Sequence, residues 1–240
     1  MLDRPIVLSV DTLARITARI GELHVALAPP ATWLPKQADE EADDRAREEL
    51  AQLGGIDRRG RLDADLAATL ALLCAPHNEF YGWITSHGRT IGVLAASTGR
   101  DAVLAVRTDR EVHLKQSTPD KLAERLAAQV PEVPPGQGPS VTITPTAPTS
   151  RITAPARRST PELDLARRIA ALPTTGGGEL HTAVRDDAGR RHAIAHPLRY
   201  ADSTHGRWLN ATLRDGRVLI APASRDTLAR RLHDAHRALT

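Results

Sequence analysis

The chain has 240 residues, 41% hydrophobic, 25% charged and 2% aromatic, which excludes a wholly disordered polymer; no apolar run approaches the ~18 residues of a membrane span. Its 32 Lys and Arg stand against 29 Asp and Glu, and only Lys36, Lys115 and Lys121 are lysine, so the basic character reflects arginine usage and not a large charge excess. A single cysteine, Cys74, excludes an internal disulfide framework and a zinc site of several thiolates; Met1 to Val10 lacks a secretory pattern, so the expected compartment is cytoplasmic.

Pro5 to Val10 reads as a short strand, and Asp11 as the cap of a helix carrying Leu13, Ile16 and Ile20 on one side. His24 to Lys36 is apolar but broken by Pro29, Pro30 and Pro35, which predicts a loop. Asp39 to Leu53 has early acids and a Gly54-Gly55 stop, as a dipole-matched helix should. A further helix is expected over Ala64 to Leu73, capped by Asp63. After Pro76 the period changes: Glu79 to Ser86, Thr90 to Ser97, Ala102 to Arg107 and Val112 to Lys115 are strand-like runs separated by short turns, a meander. Thr118-Pro119-Asp120 then opens a helix through Leu122, Leu126 and Val130.

Pro131 to Pro161 is rich in Pro, Thr and Ser and reads as an extended connector, within which Ser140 to Thr144 is a candidate edge strand. Leu163 to Leu172 returns to helix. Gly176 to Gly178 reads as a turn before strands at Glu179 to Arg185, Arg191 to Pro197, Gly206 to Leu213 and Arg217 to Ala221, and Ser224 to Leu239 closes as a helix.

The second half repeats the first. Asp65-Leu66-Ala67 and Leu70 match Asp164-Leu165-Ala166 and Ile169. Val112, Leu114, Asp120, Leu122, Ala123, Arg125 and Leu126 match Val218, Ile220, Asp226, Leu228, Ala229, Arg231 and Leu232. The expected architecture is one α+β domain over 1–240 with quasi-two-fold duplication: a first half at 1–130, the connector at 131–161 and a second half at 162–240.

Signals for catalysis are weak. There is no nucleophile elbow, phosphate-cradling loop or dinucleotide fingerprint. His192 and His196 are four apart but share a face of an expected strand, and no Glu follows His192 as a metalloprotease motif would require; His233 and His236 lie one turn apart on the final helix with Asp234 between them and read as solvated polar positions. Cys74 reads as a buried small residue. Arg45, Arg47, Arg125, Arg167 and Arg231 are interspersed with acids or fall inside amphipathic stretches, a solvated mixed-charge surface and not a nucleic-acid patch. No catalytic residue, cofactor or metal site is expected. A nucleic-acid-binding regulator and a hydrolase or metalloenzyme stand as the alternative classes.

The scarce aromatics are more informative. Phe80, Tyr81 and Trp83 share one strand, whose alternation puts Tyr81 and Trp83 on one face and Phe80 with Ile84 on the other; Trp208 lies in a strand of the second half. These rings either fill the core or form an apolar docking face.

Several ordered features resemble the EspG family, the cytosolic chaperones of actinobacterial type VII (ESX) secretion. They are Leu50-Ala51-Gln52-Leu53-Gly54, Leu62 to Pro76 (LDADLAATLALLCAP), Glu79-Phe80-Tyr81-Gly82-Trp83, Ala102 to Arg107 (AVLAVR) and Leu126 to Gly138 (LAAQVPEVPPGQG) with the following SVTIT. Asp202-Ser203-Thr204-His205-Gly206-Arg207 and Ala221-Pro222-Ala223-Ser224 complete the set. The resemblance implies a central antiparallel sheet flanked by helical bundles, and no catalysis. It implies binding of the apolar tip of a helical PPE-type substrate, usually paired with a PE partner, which is kept soluble for export. The cargo is either such a PE–PPE-like pair or a smaller Trp-x-Gly-type helical hairpin, with neither nucleic acid nor membrane insertion involved. The brief hairpin at His87 to Arg89 implies that the extended sheet loop of some relatives is absent. Tyr81, Trp83 and Trp208 are the candidate partner-binding residues, on the central sheet and near the C-terminal helical region.

Overall fold

The computed structural model describes residues 2, 4–30, 33–57, 59–144 and 160–240; the middle of the expected connector, 145–159, lies outside them. The first strand, β1 (Ile6–Ser9), runs directly into helix α1 (Val10–Thr17). Its cap is Ser9, not Asp11: the Ser9 hydroxyl accepts from the Thr12 N–H at 3.1 Å. Glu49 accepts from the Ser9 N–H and hydroxyl, which fixes that residue at the helix entrance. The helix also stops early. The Thr17 hydroxyl bonds back to the Leu13 carbonyl at 2.8 Å, and Ile20 is left 40% exposed beyond the end.

Helix α2 (Lys36–Gln52) buries Ala42, Ala46 and Leu50, a narrow stripe that packs on α1. Helix α3 (Ala64–Cys74) has the expected cap, with the Asp63 carboxylate accepting from the Asp65 and Leu66 N–H groups. The meander follows as β2 (Asn78–Ser86), β3 (Arg89–Thr98), β4 (Asp101–Arg107) and β5 (Glu111–Gln116). The β2–β3 turn is a two-residue hairpin with both central residues left-handed, His87 at φ 50° and Gly88 at φ 73°, which matches the twist of the strands. A 3-10 turn at Pro119–Lys121 leads into α4 (Leu122–Ala127).

The second half comprises β6 (Val141–Ile143), α5 (Pro161–Ala170), β7 (Thr174–Arg185), β8 (Arg191–Ala193), β9 (Leu198–Ser203), β10 (Gly206–Thr212), β11 (Val218–Pro222) and α6 (Arg225–Arg237). All pairings are antiparallel in one sheet, ordered β1-β5-β4-β3-β2-β7-β9-β10-β11-β6, with β8 attached to β7. Two four-stranded meanders thus meet at β2–β7, and each outer end is finished by a short edge strand, β1 or β6. The 140–144 segment supplies that second edge.

Two sequence expectations fail here. Gly176 to Gly178 is not a turn but lies inside β7, between β2 and β9. A Cβ on Gly177 would stand 2.8 Å from the Tyr200 carbonyl and one on Gly178 2.6 Å from the Tyr200 ring, so glycine is demanded by close strand packing. The 191–197 segment is strand only to Ala193, which takes His196 off the strand; the chain then turns and forms β9, which composition did not reveal.

The sheet has a core on each face. On one, Leu122, Ala123 and Leu126 of α4 meet their repeats Leu228, Ala229 and Leu232 of α6, over Phe80, Ile84 and Leu180. On the other, Leu13, Leu66, Leu70 and Leu73 pack on Leu94, Val112 and Leu114. That second face is covered by α1 to α3 over the first meander, while only α5 reaches the second, near β6. The strands between them carry no helix on this side. Among the described residues no helix is long and apolar enough to cross a membrane.

Candidate functional site

Alternation along β2 places Phe80 and Ile84 in the α4–α6 core and turns Tyr81 and Trp83 to the opposite face. Opposite them on β7 stand His181 and Glu179. The Tyr81 ring stacks on His181 at 4.9 Å and 10° and meets His24 edge-on at 4.6 Å, which leaves it 7% exposed. Trp83 meets the same imidazole edge-on at 5.8 Å and is half-buried. Burial pushes His181 below the usual histidine range, against the opposing pull of Glu179, so the stack holds a neutral imidazole at pH 7.

A buried polar root anchors this aromatic group. Glu79 is fully buried and accepts from Arg191 Nε at 2.9 Å and Nη2 at 2.8 Å. His24 Nδ1 accepts from the Ala26 N–H, so its Nε2 is the donor to Glu79 at 3.1 Å. Burial pushes the Glu79 carboxyl up, but the hydrogen bonds from His24 and Arg191 outweigh it and hold the group at about 2. Arg191, raised by the same bonds, also donates from Nη2 to the Tyr81 hydroxyl at 3.1 Å. One guanidinium from β8 therefore reaches across β7 to fix both the carboxylate and the ring.

Beyond Trp83 the uncovered sheet forms a shallow cleft of about 520 Å³. Register puts Gly177 and Ala201 on its floor beside Thr85, with Arg199 and Glu179, paired at 3.1 Å, at one end. Arg199 and Ala201 also line a neighbouring cavity of about 290 Å³, closed by Ile169 and Leu172 beyond α5's side of the sheet and by Trp208. Trp208 stands three strands from β2 on the same face, and it is 6% exposed. Its indole lies against Gly136 and Gly138, where a Cβ at Gly136 would overlap it. That segment is pinned by the buried Arg207, whose Nε and Nη2 donate to Asp202 at 2.6 and 2.9 Å and whose Nη2 also reaches the Pro131 carbonyl. The structure thus brings Tyr81 and Trp83 together and sets Trp208 apart across the cleft. His24, His181, Arg191 and Arg199 join the site without any local signal; only the β2 alternation, which also carries Glu79, pointed to this face.

The other candidate chemistry is dispersed. His236 stacks on Phe80 at 4.9 Å and bonds Asn78, while His233 bonds Glu124 at 2.9 Å, so this pair faces inward across α6. Among the described residues no group of three His, Cys, Asp or Glu side chains is disposed to hold a metal ion. Burial raises the Cys74 thiol.

Comparison with curated proteins gives no match. Among solved structures, the chain is similar to EspG5, the type VII secretion system chaperone of Mycobacterium tuberculosis solved in complex with the PE25–PPE41 dimer. The TM-score is 0.63 at 15% identity, covering 97% of this chain and 95% of that one. At that identity the likeness establishes the fold, a large antiparallel sheet with its helices. The EspG family model matches residues 7–234, which span both meanders, the polar root at Glu79 and the open face. The chain belongs to the EspG family.

Proposed function

We propose that the protein is a non-catalytic cytoplasmic chaperone of a type VII secretion system that binds the apolar helical tip of a PPE-type or similar helical substrate. Family membership and the fold shared with a chaperone solved on a PE–PPE dimer support this reading. The observation that carries it is the helix-free strip of sheet between α3 and α5, where Trp83 borders a floor of Gly177 and Ala201. A helix laid on such a floor approaches the strands closely, and its apolar side chains leave water against Trp83 and the α5 side. Trp83 is the direct anchor, Tyr81 supports it through His181, and Trp208 backs the far wall. The two halves, 1–130 and 162–240, act as one unit through the β2–β7 seam, joined by 131–161.

The test is co-expression with a PE–PPE-like pair and, separately, with a small helical hairpin encoded beside the gene, followed by calorimetry on any soluble complex. Trp83→Ser, at a half-buried position and so with some loss of thermal stability, and Ala201→Trp, at an exposed position and with thermal stability unchanged, are expected to weaken binding by at least about tenfold, or ~1.4 kcal/mol. Full affinity in both variants refutes the site; failure of both cargos to bind the unmodified protein refutes the function.

A further inference from the structure

The β9–β10 ladder ends at Arg199–Asn210, while β10 runs on through Ala211 and Thr212. Those two residues have ladder partners only in β11, Leu219 and Val218. On the other side the chain is at Pro197, which has no N–H to continue a ladder, and sheet pairing resumes only at β8 on β7. A groove of about 610 Å³ opens at this interruption, on the face carrying α4 and α6 and so opposite the cleft described above. Leu198, Ala211 and Leu213 line its strand side, and Leu232, Ala235 and Leu239 line the other.

Its charge is one-sided. Arg214 on the β10–β11 turn and Arg231 on α6 are exposed at the rim and have no ion-pair partner among the described residues. The one acid on the rim, Asp234, is already paired with Arg237.

We propose that this groove binds a short extended segment of a partner protein, two or three aliphatic residues bracketed by carboxylates. The segment adds a strand along the end of β10, lays its aliphatic side chains on the half-buried Ala235 and Leu239, and directs its acids to Arg214 and Arg231. Strand addition supplies affinity through the backbone, and the pocket and the arginines supply selectivity. This surface is independent of the chaperone reading, because it lies on the other face of the sheet.

The test is an amide chemical-shift titration of the full-length protein with the capped peptide Asp-Leu-Val-Leu-Asp and its counterpart Lys-Leu-Val-Leu-Lys. The acidic peptide is expected to shift residues 193–198, 211–214 and 231–239. The double variant Arg214→Gln/Arg231→Gln, at exposed positions without ion pairs, is expected to bind it roughly three- to tenfold more weakly. No shift, shifts centred on the Trp83 face, equal binding of the lysine peptide, or an unaffected double variant each overturns the proposal. Concentration-dependent shifts at the groove without peptide mark a second copy as the occupant and overturn it equally.

Discussion

The replacement Glu79→Gln tests how strongly the buried polar root beneath Tyr81 and Trp83 stabilises the fold. The amide keeps the shape of the side chain but removes the charge that faces Arg191 and His24. Lowering a carboxyl from 4.5 to about 2 corresponds to roughly 3 kcal/mol of preferential stabilisation of the charged form. The Arg191 side chain is 33% exposed, so water screens part of this, and about 2 kcal/mol is the working figure. The variant also strands a guanidinium against a neutral partner, which adds to the loss. The expected destabilisation at pH 7 is about 2–4 kcal/mol. The sign of the pH dependence follows from a native value below the unfolded one. The stabilisation is complete above 4.5 and is lost as pH falls through about 2. Urea unfolding of both proteins at pH 7, 5, 4 and 3 measures the gap between them, and subtraction cancels the other carboxylates. A gap that narrows steadily below pH 4.5 supports the reasoning. A gap that stays constant down to pH 3, or that is absent at pH 7, refutes it.

Gly178→Ala forces a Cβ to 2.6 Å from the Tyr200 ring and is expected to cost about 1–3 kcal/mol in thermal unfolding. Arg207→Ala leaves the Asp202 carboxylate buried and unpaired, with a loss of about 3–5 kcal/mol, whereas Arg207→Met combined with Asp202→Leu loses markedly less. His236, lowered by burial and then by His233 and His77, holds its full stabilising contribution above pH 6.5 and loses it as pH falls below that value. His236→Phe is therefore expected to flatten the stability profile between pH 7 and 5, leaving the contribution of His181, which is shifted in the same direction.

Local patterns carried a large share of the fold. The first meander was legible because each strand alternates and each turn carries its own Gly, Asp or Thr signal, and α3 because Asp63 precedes a clean apolar stripe. β9 was hidden by the same logic: Leu198 and Tyr200 alternate inward, but Pro197 interrupts the run and Asp202 looks solvent-seeking until Arg207 is seen beside it. The site was less legible. Alternation located Tyr81 and Trp83, yet the group that orders them joins residues 24, 79 and 191, which no local pattern relates. Trp208 looked like a free anchor because nothing in its strand announces Gly136 folding against it. A buried carboxylate among aromatics, Glu79 in EFYGW, is the one signal that could have prompted a search for a distant cation.

The open face follows from unequal cover on two similar halves. Each meander has two faces, and on the α4–α6 side the two halves are covered in the same way, with the Leu-Ala-Leu positions of α4 and α6 meeting over the seam. On the other side the first half spends three helices and the second only one, which sits out by β6. The uncovered strands are thus β7, β9 and the stretch of β10 that pairs with β9, next to the seam and not at an edge, where a strand on either side holds the ladder and side chains make the exposed surface. Such a surface cannot recruit a strand. It suits a helix, and the small residues Gly177 and Ala201 lower the floor where that helix would lie. Gly177, which close packing against the Tyr200 carbonyl requires, is also the residue that lowers this floor.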